Sequence, residues 1–440
     1  MKMPGFRPGK EGINMAWLYQ SIFILVVLMS GLLIGLPIAF SIGLTTLLGI
    51  TIFQNPNAIS ALANIAWASS NNFTLTAVPL FLLMSEVIMY TGIGKDMFKT
   101  MEKWFGRLPG GLAVGTSVSS AIFGAISGNA MAIAAIVGGT AIPEMRKAGY
   151  SNKLACGSVA ASSTLGFLIP PSLPMITYGV ITETSVGRLF IAGIIPGIVL
   201  CLLFIVYIIF SSGREKNLTF VKYSMAEKIA SLVKILPVIL LIVLVIGSIY
   251  GGFATPTEAA GIGAIGAIVI AALMRRLKLK DLFHALRNSC RTCAMVVIII
   301  LNAQVFAYLL TSLRLPMMLS EFILGMGLSK WVVFFVIQLA YVFLGMFFDA
   351  GSIFLLTMPI LFPIATSMGF DAIWFCIVCI CNLCVAVITP PVGLVTYVVK
   401  GLAPDVSISE IVKGAFPFLV IDVLMIVVLC VCPWMTSILL

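Results

Sequence analysis

The chain has 440 residues, of which 61% are hydrophobic and only 10% charged, whereas a soluble domain carries roughly 25% charged residues. That excludes an ordinary soluble globule, and with it the nucleic-acid reading that a net charge of +10 would otherwise invite; in a polytopic membrane protein the surplus belongs to cytoplasmic loops. Ten cysteines lie mostly in apolar stretches, and no His or carboxylate joins the dense group Cys376, Cys379, Cys381 and Cys384, so they read as packing residues rather than a metal site.

Residues 1–15 form a basic tail. The apolar run that follows, Ala16 to Ile42, is too long for a signal-peptide core. Apolar runs of spanning length then recur to the C-terminus. The first half, 16–211, predicts helices over Ala16–Leu36, Ile38–Phe53 and Ala77–Thr91. Next comes an apolar stretch, about 117–143, with the polar centre Ser127-Gly128-Asn129, read as a re-entrant hairpin. A span over about 154–180 follows, interrupted at Pro170-Pro171. Proline removes a backbone N–H and clashes with the preceding turn. The carbonyls it frees at membrane depth need protein, water or an ion. A basic connector, 212–234, leads to a second half, 235–440, that reads the same way. Helices are expected over Ile235–Tyr250, Glu258–Met274 and Met295–Thr311. A hairpin at about 332–363 is centred on Phe348-Asp349-Ala350-Gly351-Ser352, and a broken span at about 372–399 is interrupted at Pro390-Pro391.

Pro170 and Pro390 are 220 positions apart, and the same spacing pairs Pro143 with Pro363, Cys156 with Cys376 and Asn129 with Asp349. The reading is an all-α polytopic membrane protein of two structural repeats. Orientation follows from charge. Lys95, Lys99, Lys103 and Arg107 precede the first hairpin, and Arg146, Lys147 and Lys153 follow it, so it enters from the cytoplasm. The connector and the segment Arg275 to Arg291 are basic too. Counting crossings between these loops puts the second hairpin on the opposite face, so the repeats are inverted. The count places the N-terminus outside, against Lys2, Arg7 and Lys10; three basic loops outweigh one tail.

Interrupted spans at matching places in two halves point to a transporter binding site. Asp349 and its mate Asn129 are oxygen donors at the two expected tips, as sodium ligands or as caps of the helices that follow. Asn382, whose mate is Ser162, and Thr389 could complete one site; Ser162, Ser163, Thr164 and Gly166 could complete the other. Hydroxyls in membrane helices also simply bond the carbonyl of the preceding turn. Glu258 follows Thr255-Pro256-Thr257 as in a helix start, Glu86 and Asp422 face helices or water, and His284 reads as a surface residue. No phosphate-binding loop, nucleophile-and-base set or metal spacing is present, so neither ATP hydrolysis nor another enzymatic activity is expected.

Motifs along the whole chain carry a family resemblance. They include Gly106-Arg107-Leu108-Pro109-Gly110-Gly111, Phe123-Gly124-Ala125-Ile126-Ser127-Gly128 and Leu168-Ile169-Pro170-Pro171-Ser172. Ala254-Thr255-Pro256-Thr257-Glu258-Ala259, Gly345-Met346-Phe347 with Asp349, and Thr389-Pro390-Pro391-Val392-Gly393 belong to the same set. The chain resembles the large membrane subunit of a tripartite ATP-independent periplasmic (TRAP) transporter. The resemblance implies an elevator-type, sodium-driven importer of organic acids in a bacterial inner membrane. It also implies a small four-helix membrane subunit and a soluble periplasmic binding protein as partners. Sodium is then expected at Ser127, Gly128, Asn129, Thr164, Gly166, Gly345, Asp349, Asn382 and Thr389. Substrate is expected at Ser127, Asn129, Ser162, Ser163, Pro170, Ser172, Gly351, Ser352, Pro390 and Gly393. Ser127-Gly128-Asn129-Ala130 stands where the family usually has Ser-Gly-Ser-Ser, and Cys384 where it often has a glutamate. The alternative is a stand-alone sodium-coupled anion symporter of similar architecture; a channel or membrane-embedded enzyme is the other class considered.

Overall fold

The computed structural model describes residues 15–54, 58–213, 215, 223–346, 348, 350–391 and 393–440, and among them the chain is helical with no strand. The first part contains α1 (Met15–Leu33), α2 (Ile38–Phe53), α3 (Ala58–Ser70), α4 (Ala77–Tyr90) and α5 (Ile93–Phe105). Then come α6 (Gly111–Ser127), α7 (Ala130–Lys147), α8 (Asn152–Leu168), α9 (Leu173–Thr182) and α10 (Val186–Ser212). The second part contains α11 (Met225–Tyr250), α12 (Pro256–Leu273), α13 (Leu279–Ser312), α14 (Leu315–Gly325) and α15 (Lys330–Gly345). It ends with α16 (Ala350–Ser367), α17 (Ala372–Ala386), α18 (Leu394–Leu402) and α19 (Ile408–Val431). Among the described residues, eight helical segments are long and apolar enough to cross a membrane. With 17, 16 and 15 residues, α6, α15 and α17 fall short of the roughly 20 needed to span.

Local chemistry explains the boundaries. Thr255 and Glu258 form a capping box at the start of α12, and Ser224 and Glu227 do the same for α11; this is the role read for Glu258. One boundary differs from expectation. The basic segment before Met295 is not a loop but the first third of the 34-residue α13. No Gly or Pro interrupts residues 279–312, and Lys280, Arg287 and Arg291 point outward, so the charge rides on an exposed helix face.

The helices pack as two groups. One holds α1–α4 and α11–α14, in which α4 packs on α12 and α13, and α2 on α13; α5 bridges the two, packing on α11 as well as on α6 and α7. The other holds α6–α10 and α15–α19, built around α8, which touches α6, α7, α10, α17, α18 and α19 besides the following α9. The α8–α9 segment is the most enclosed of the eight candidate spans, with 83% of its apolar window buried, against 28% for the peripheral α11. Small residues permit the close approach at its centre: a Cβ on Gly157 would collide with the Gly414 backbone of α19.

The ends of the elements meet on two faces. On one, the Tyr150 hydroxyl accepts from the Leu112 N–H at 3.2 Å, the Tyr223 hydroxyl donates to Glu102 at 2.8 Å, and Gly110 abuts Ser212. Ion pairs Arg146–Asp405 and Arg276–Asp96 tie further loops to this basic face. On the other face, the Tyr178 hydroxyl donates to the Ala372 carbonyl at 2.7 Å and Trp374 Nε1 to the Leu429 carbonyl at 2.8 Å. Trp331, Phe334, Phe370 and Trp374 cluster there, with Trp331 and Trp374 6.4 Å apart and Lys330 over two of the rings. The pair α6–α7 opens from the basic face. The pair α15–α16 has its open end on the aromatic one.

Candidate functional site

The turn between α6 and α7 is set by two residues. Gly128 takes a left-handed φ of 57° at the end of α6. Asn129 caps α7, its Oδ1 accepting from the N–H groups of Met131 at 3.0 Å and Ala132 at 3.4 Å. The tip rests directly on the break between α8 and α9. A Cβ on Gly128 would lie 2.7 Å from the Pro171 carbonyl oxygen and 3.0 Å from Leu173 N, so only glycine admits the contact. Ser172 closes the break by donating to the Phe167 carbonyl at 2.5 Å and capping α9. Deeper in, Gly124 of α6 and Gly166 of α8 meet backbone to backbone: a Cβ on Gly124 would lie 2.8 Å from Gly166 Cα.

The other half repeats these contacts. Gly345 of α15 sits against Ala386 of α17, where a Cβ would overlap the alanine methyl. Gly393, at φ 55°, donates its N–H to the Met346 carbonyl at 3.3 Å. Both Pro-Pro peptide bonds, 170–171 and 390–391, are cis. Asp349 lies outside the described residues, as do Phe347 and Val392.

A cavity of about 180 Å³ lies where the two tips face each other across α9 and α13. Gly128, Asn129 and Met131 reach it from the start of α7, Leu173 and Pro174 from the start of α9, and Ala350, Gly351 and Ser352 from the start of α16. Three helix N-termini therefore open on one space. Each carries about half a positive charge, and although Asn129 and Ser172 take some of the N–H groups of α7 and α9, the converging dipoles favour an anion. Thr177, Thr292, Met295, Val296 and Ile299 complete much of the wall.

Of the residues expected at the site, Gly128, Asn129, Gly351 and Ser352 line this cavity. Ser127 is buried beside it, its Oγ without a hydrogen-bond partner among the described residues. The others sit behind the wall. Ser162 Oγ lies 2.6 Å from Ser117 Oγ of α6. Asn382 donates its amide to both the backbone and the side-chain oxygen of Gln338 on α15, each at 2.7 Å. Ser117 and Gln338 are 221 positions apart and Ser162 and Asn382 are 220, so one polar clip joins a hairpin arm to a broken helix in each half. Ser163, Thr164 and Thr389 donate to carbonyls three or four residues back, at 2.7–2.9 Å for the first two and 2.6 Å for Thr389. Gly166 and Gly345 serve helix crossings; Pro170, Pro390 and Gly393 shape the breaks. Thr177 and Thr292 were not singled out from sequence. The clue to Thr292 was the uninterrupted helical run through 279–312, which carries it into the bundle.

Comparison with known proteins agrees with this architecture. The family described as tripartite ATP-independent periplasmic transporter, DctM component, matches residues 25–435. The C4-dicarboxylate TRAP transporter large permease protein DctM of Pseudomonas aeruginosa is 34% identical over 394 residues, covering 89% of this chain and 92% of that protein. The sialic acid TRAP transporter large permease protein SiaM of Vibrio cholerae is 33% identical over 387 residues, covering 88% and 90%. The 2,3-diketo-L-gulonate TRAP transporter large permease protein YiaN of Escherichia coli is 31% identical over 398 residues, covering 90% and 92%. The solved structure of the YdaH transporter of Alcanivorax borkumensis superposes with a TM-score of 0.63 over 96% of this chain and 99% of that one, at 12% identity, a likeness of fold. These relatives are permease subunits and not enzymes, and with a family match along nearly its whole length the chain belongs to the DctM component family, as a multi-pass large permease subunit of a TRAP transporter.

Proposed function

We propose that this subunit carries an organic acid across a bacterial inner membrane, coupled to sodium, by an elevator movement. The observation that carries the reading is the convergence of the N-termini of α7, α9 and α16 on one cavity. It is a site for an anion, placed between the two helix groups, where a vertical shift of one against the other would change its access. Asn129, Gly351 and Ser352 are the proposed substrate contacts. Sodium would sit at the neighbouring helix C-termini, whose carbonyls favour a cation. The buried, unpartnered Ser127 Oγ fits that role, and Asp349 is retained as a ligand on its position in the sequence. The two faces at which the hairpins open support a pair of inverted repeats, 16–211 and 235–440, joined by the connector 212–234. The basic face is read as cytoplasmic.

A tripartite family implies two partners, a small membrane subunit and a soluble periplasmic binding protein. Uptake of a labelled acid into proteoliposomes holding both membrane subunits is expected to need the loaded binding protein outside and an inward sodium gradient. Uptake that persists when potassium replaces sodium overturns the coupling. Uptake without the binding protein favours a stand-alone symporter.

A further inference from the structure

The geometry points to a binding site for an anionic phospholipid at the basic end of the groove between α10 and α19. An open space of about 480 Å³ lies there against the start of α8, and it shares no lining residue with the cavity at the tips. Lys153 lines it from the first turn of α8 and Lys413 from the second turn of α19. Tyr207 and Ser211 line it from the last two turns of α10.

Close packing forces two like charges together. The backbones of α8 and α19 touch, and a Cβ on Gly414 would collide with the Lys153 carbonyl, so Lys153 and Lys413 leave from adjoining points. Both lysines are exposed, and neither has an ion-pair partner among the described residues. Glu215, the one carboxylate among the described lining residues, accepts from Ser151 Oγ, the cap of α8, at 2.5 Å. Two lysines against one carboxylate leave a single positive charge, which matches the single negative charge of a phosphodiester.

The groove leads into lipid. Both α10 and α19 are long and apolar enough to span, and Tyr207 packs edge-on against Phe418 between them, with centroids 4.8 Å apart. Phe416, Val420 and Leu424 follow Lys413 along one face of α19 and are all exposed. Val206 and Phe210 are exposed on α10 beside Tyr207. Tyrosine and lysine suit this depth, with an apolar body toward hydrocarbon and a polar end toward water. A basic mouth at the span ends that continues into an apolar track accommodates headgroup and acyl chains together; a free phosphate has no use for the track.

The test is native mass spectrometry of the purified, delipidated subunit, titrated with palmitoyl-oleoyl phosphatidylglycerol and with the phosphatidylcholine of the same chains. The second lipid keeps the phosphate and has no net charge. Phosphatidylglycerol is expected to bind about tenfold more tightly, in keeping with two ammonium groups at the surface. Lys153→Gln with Lys413→Gln is expected to lose most of that preference while the unfolding temperature without lipid holds. Lys95→Gln with Lys99→Gln, elsewhere on the basic face, should keep it. Equal binding of the two lipids by the parent overturns the inference. So does a preference that survives loss of Lys153 and Lys413, or one that falls as far in the Lys95 and Lys99 control, because the attraction then belongs to the basic face at large. Displacement of phosphatidylglycerol by millimolar inorganic phosphate shows a site for the free anion and overturns it as well.

Discussion

The thiol of Cys384 in α17 lies 3.5 Å from the backbone carbonyl of Thr164 in α8, and the two residues are 220 positions apart. That is the spacing of Pro170 and Pro390. If the two halves are the inverted repeats proposed above, a residue that touches its own counterpart lies close to the axis between them, and α8 and α17 meet there. Both residues are fully buried. Enlarging Cys384 there has no room to relax, and Cys384→Leu is expected to destabilise by about 1–3 kcal/mol, read as a fall in unfolding temperature in detergent. A neutral result would mean that α8 and α17 are not tightly opposed.

The glycine crossings rank by what the added methyl meets. On Gly124 it would press on the Gly166 backbone, which cannot move aside; on Gly166 it would meet the end of the Ile133 side chain, which can turn. Gly124→Ala should therefore be the more damaging of the two, by about 1 kcal/mol or more. Equal losses, measured by thermal unfolding, would contradict the packing described.

The clip between Asn382 and Gln338 is buried on both sides. Asn382→Leu strands the side-chain oxygen of Gln338 and is expected to cost about 1–3 kcal/mol. Adding Gln338→Leu should recover part of that loss, because the double variant no longer leaves the glutamine side chain unsatisfied. Strict additivity in the double-mutant cycle would show that the two side chains do not interact.

Asp422 of α19 is fully buried, and neither carboxylate oxygen has a hydrogen-bond partner among the described residues. An unpaired charge in such a place is costly, so its neutral isostere should be no worse. Asp422→Asn is expected to unfold at the same temperature as the parent or higher. A drop of several degrees would reveal an ionised carboxylate with a partner.

Arg146 and Asp405 join the end of α7 to the turn before α19, with Nη1 3.1 Å from Oδ1. The hydrogen bond from Arg146 holds the Asp405 carboxyl below its usual value. A lowered carboxylate contributes its stability above the ordinary pKa of about 3.9 and loses it as pH falls through the lowered folded-state value. The unfolding temperatures of parent and Asp405→Asn should thus differ slightly at pH 7 and converge as pH falls below about 4. Since the pair is exposed, salt should shrink the difference too; a gap that widens in acid would contradict the assignment.

The breaks and tips were legible because Pro and Gly act through the backbone: Pro170-Pro171 stops α8 two residues earlier, and Gly128 turns where expected. Which way a hydroxyl points was not legible. Ser163 and Thr164 could bond the preceding turn or face a ligand, and nothing local to those residues decides it; the packing of α8 among its seven neighbouring helices does. Thr292, on the α13 wall of the cavity, escaped notice for a different reason. The basic first third of α13 resembles a loop in composition, and only the lack of a helix breaker carries it into the bundle.

The aromatic cluster at the open end of α15–α16 has a practical consequence. Trp331 belongs to the hairpin and Trp374 to α17, and they are two of only six tryptophans in the chain. Sliding one element past the other separates the indoles and exposes Trp374, which is buried in the cluster while Trp331 is already exposed. The subunit thus contains its own optical gauge of that displacement, readable as a change in intrinsic emission without attaching a dye.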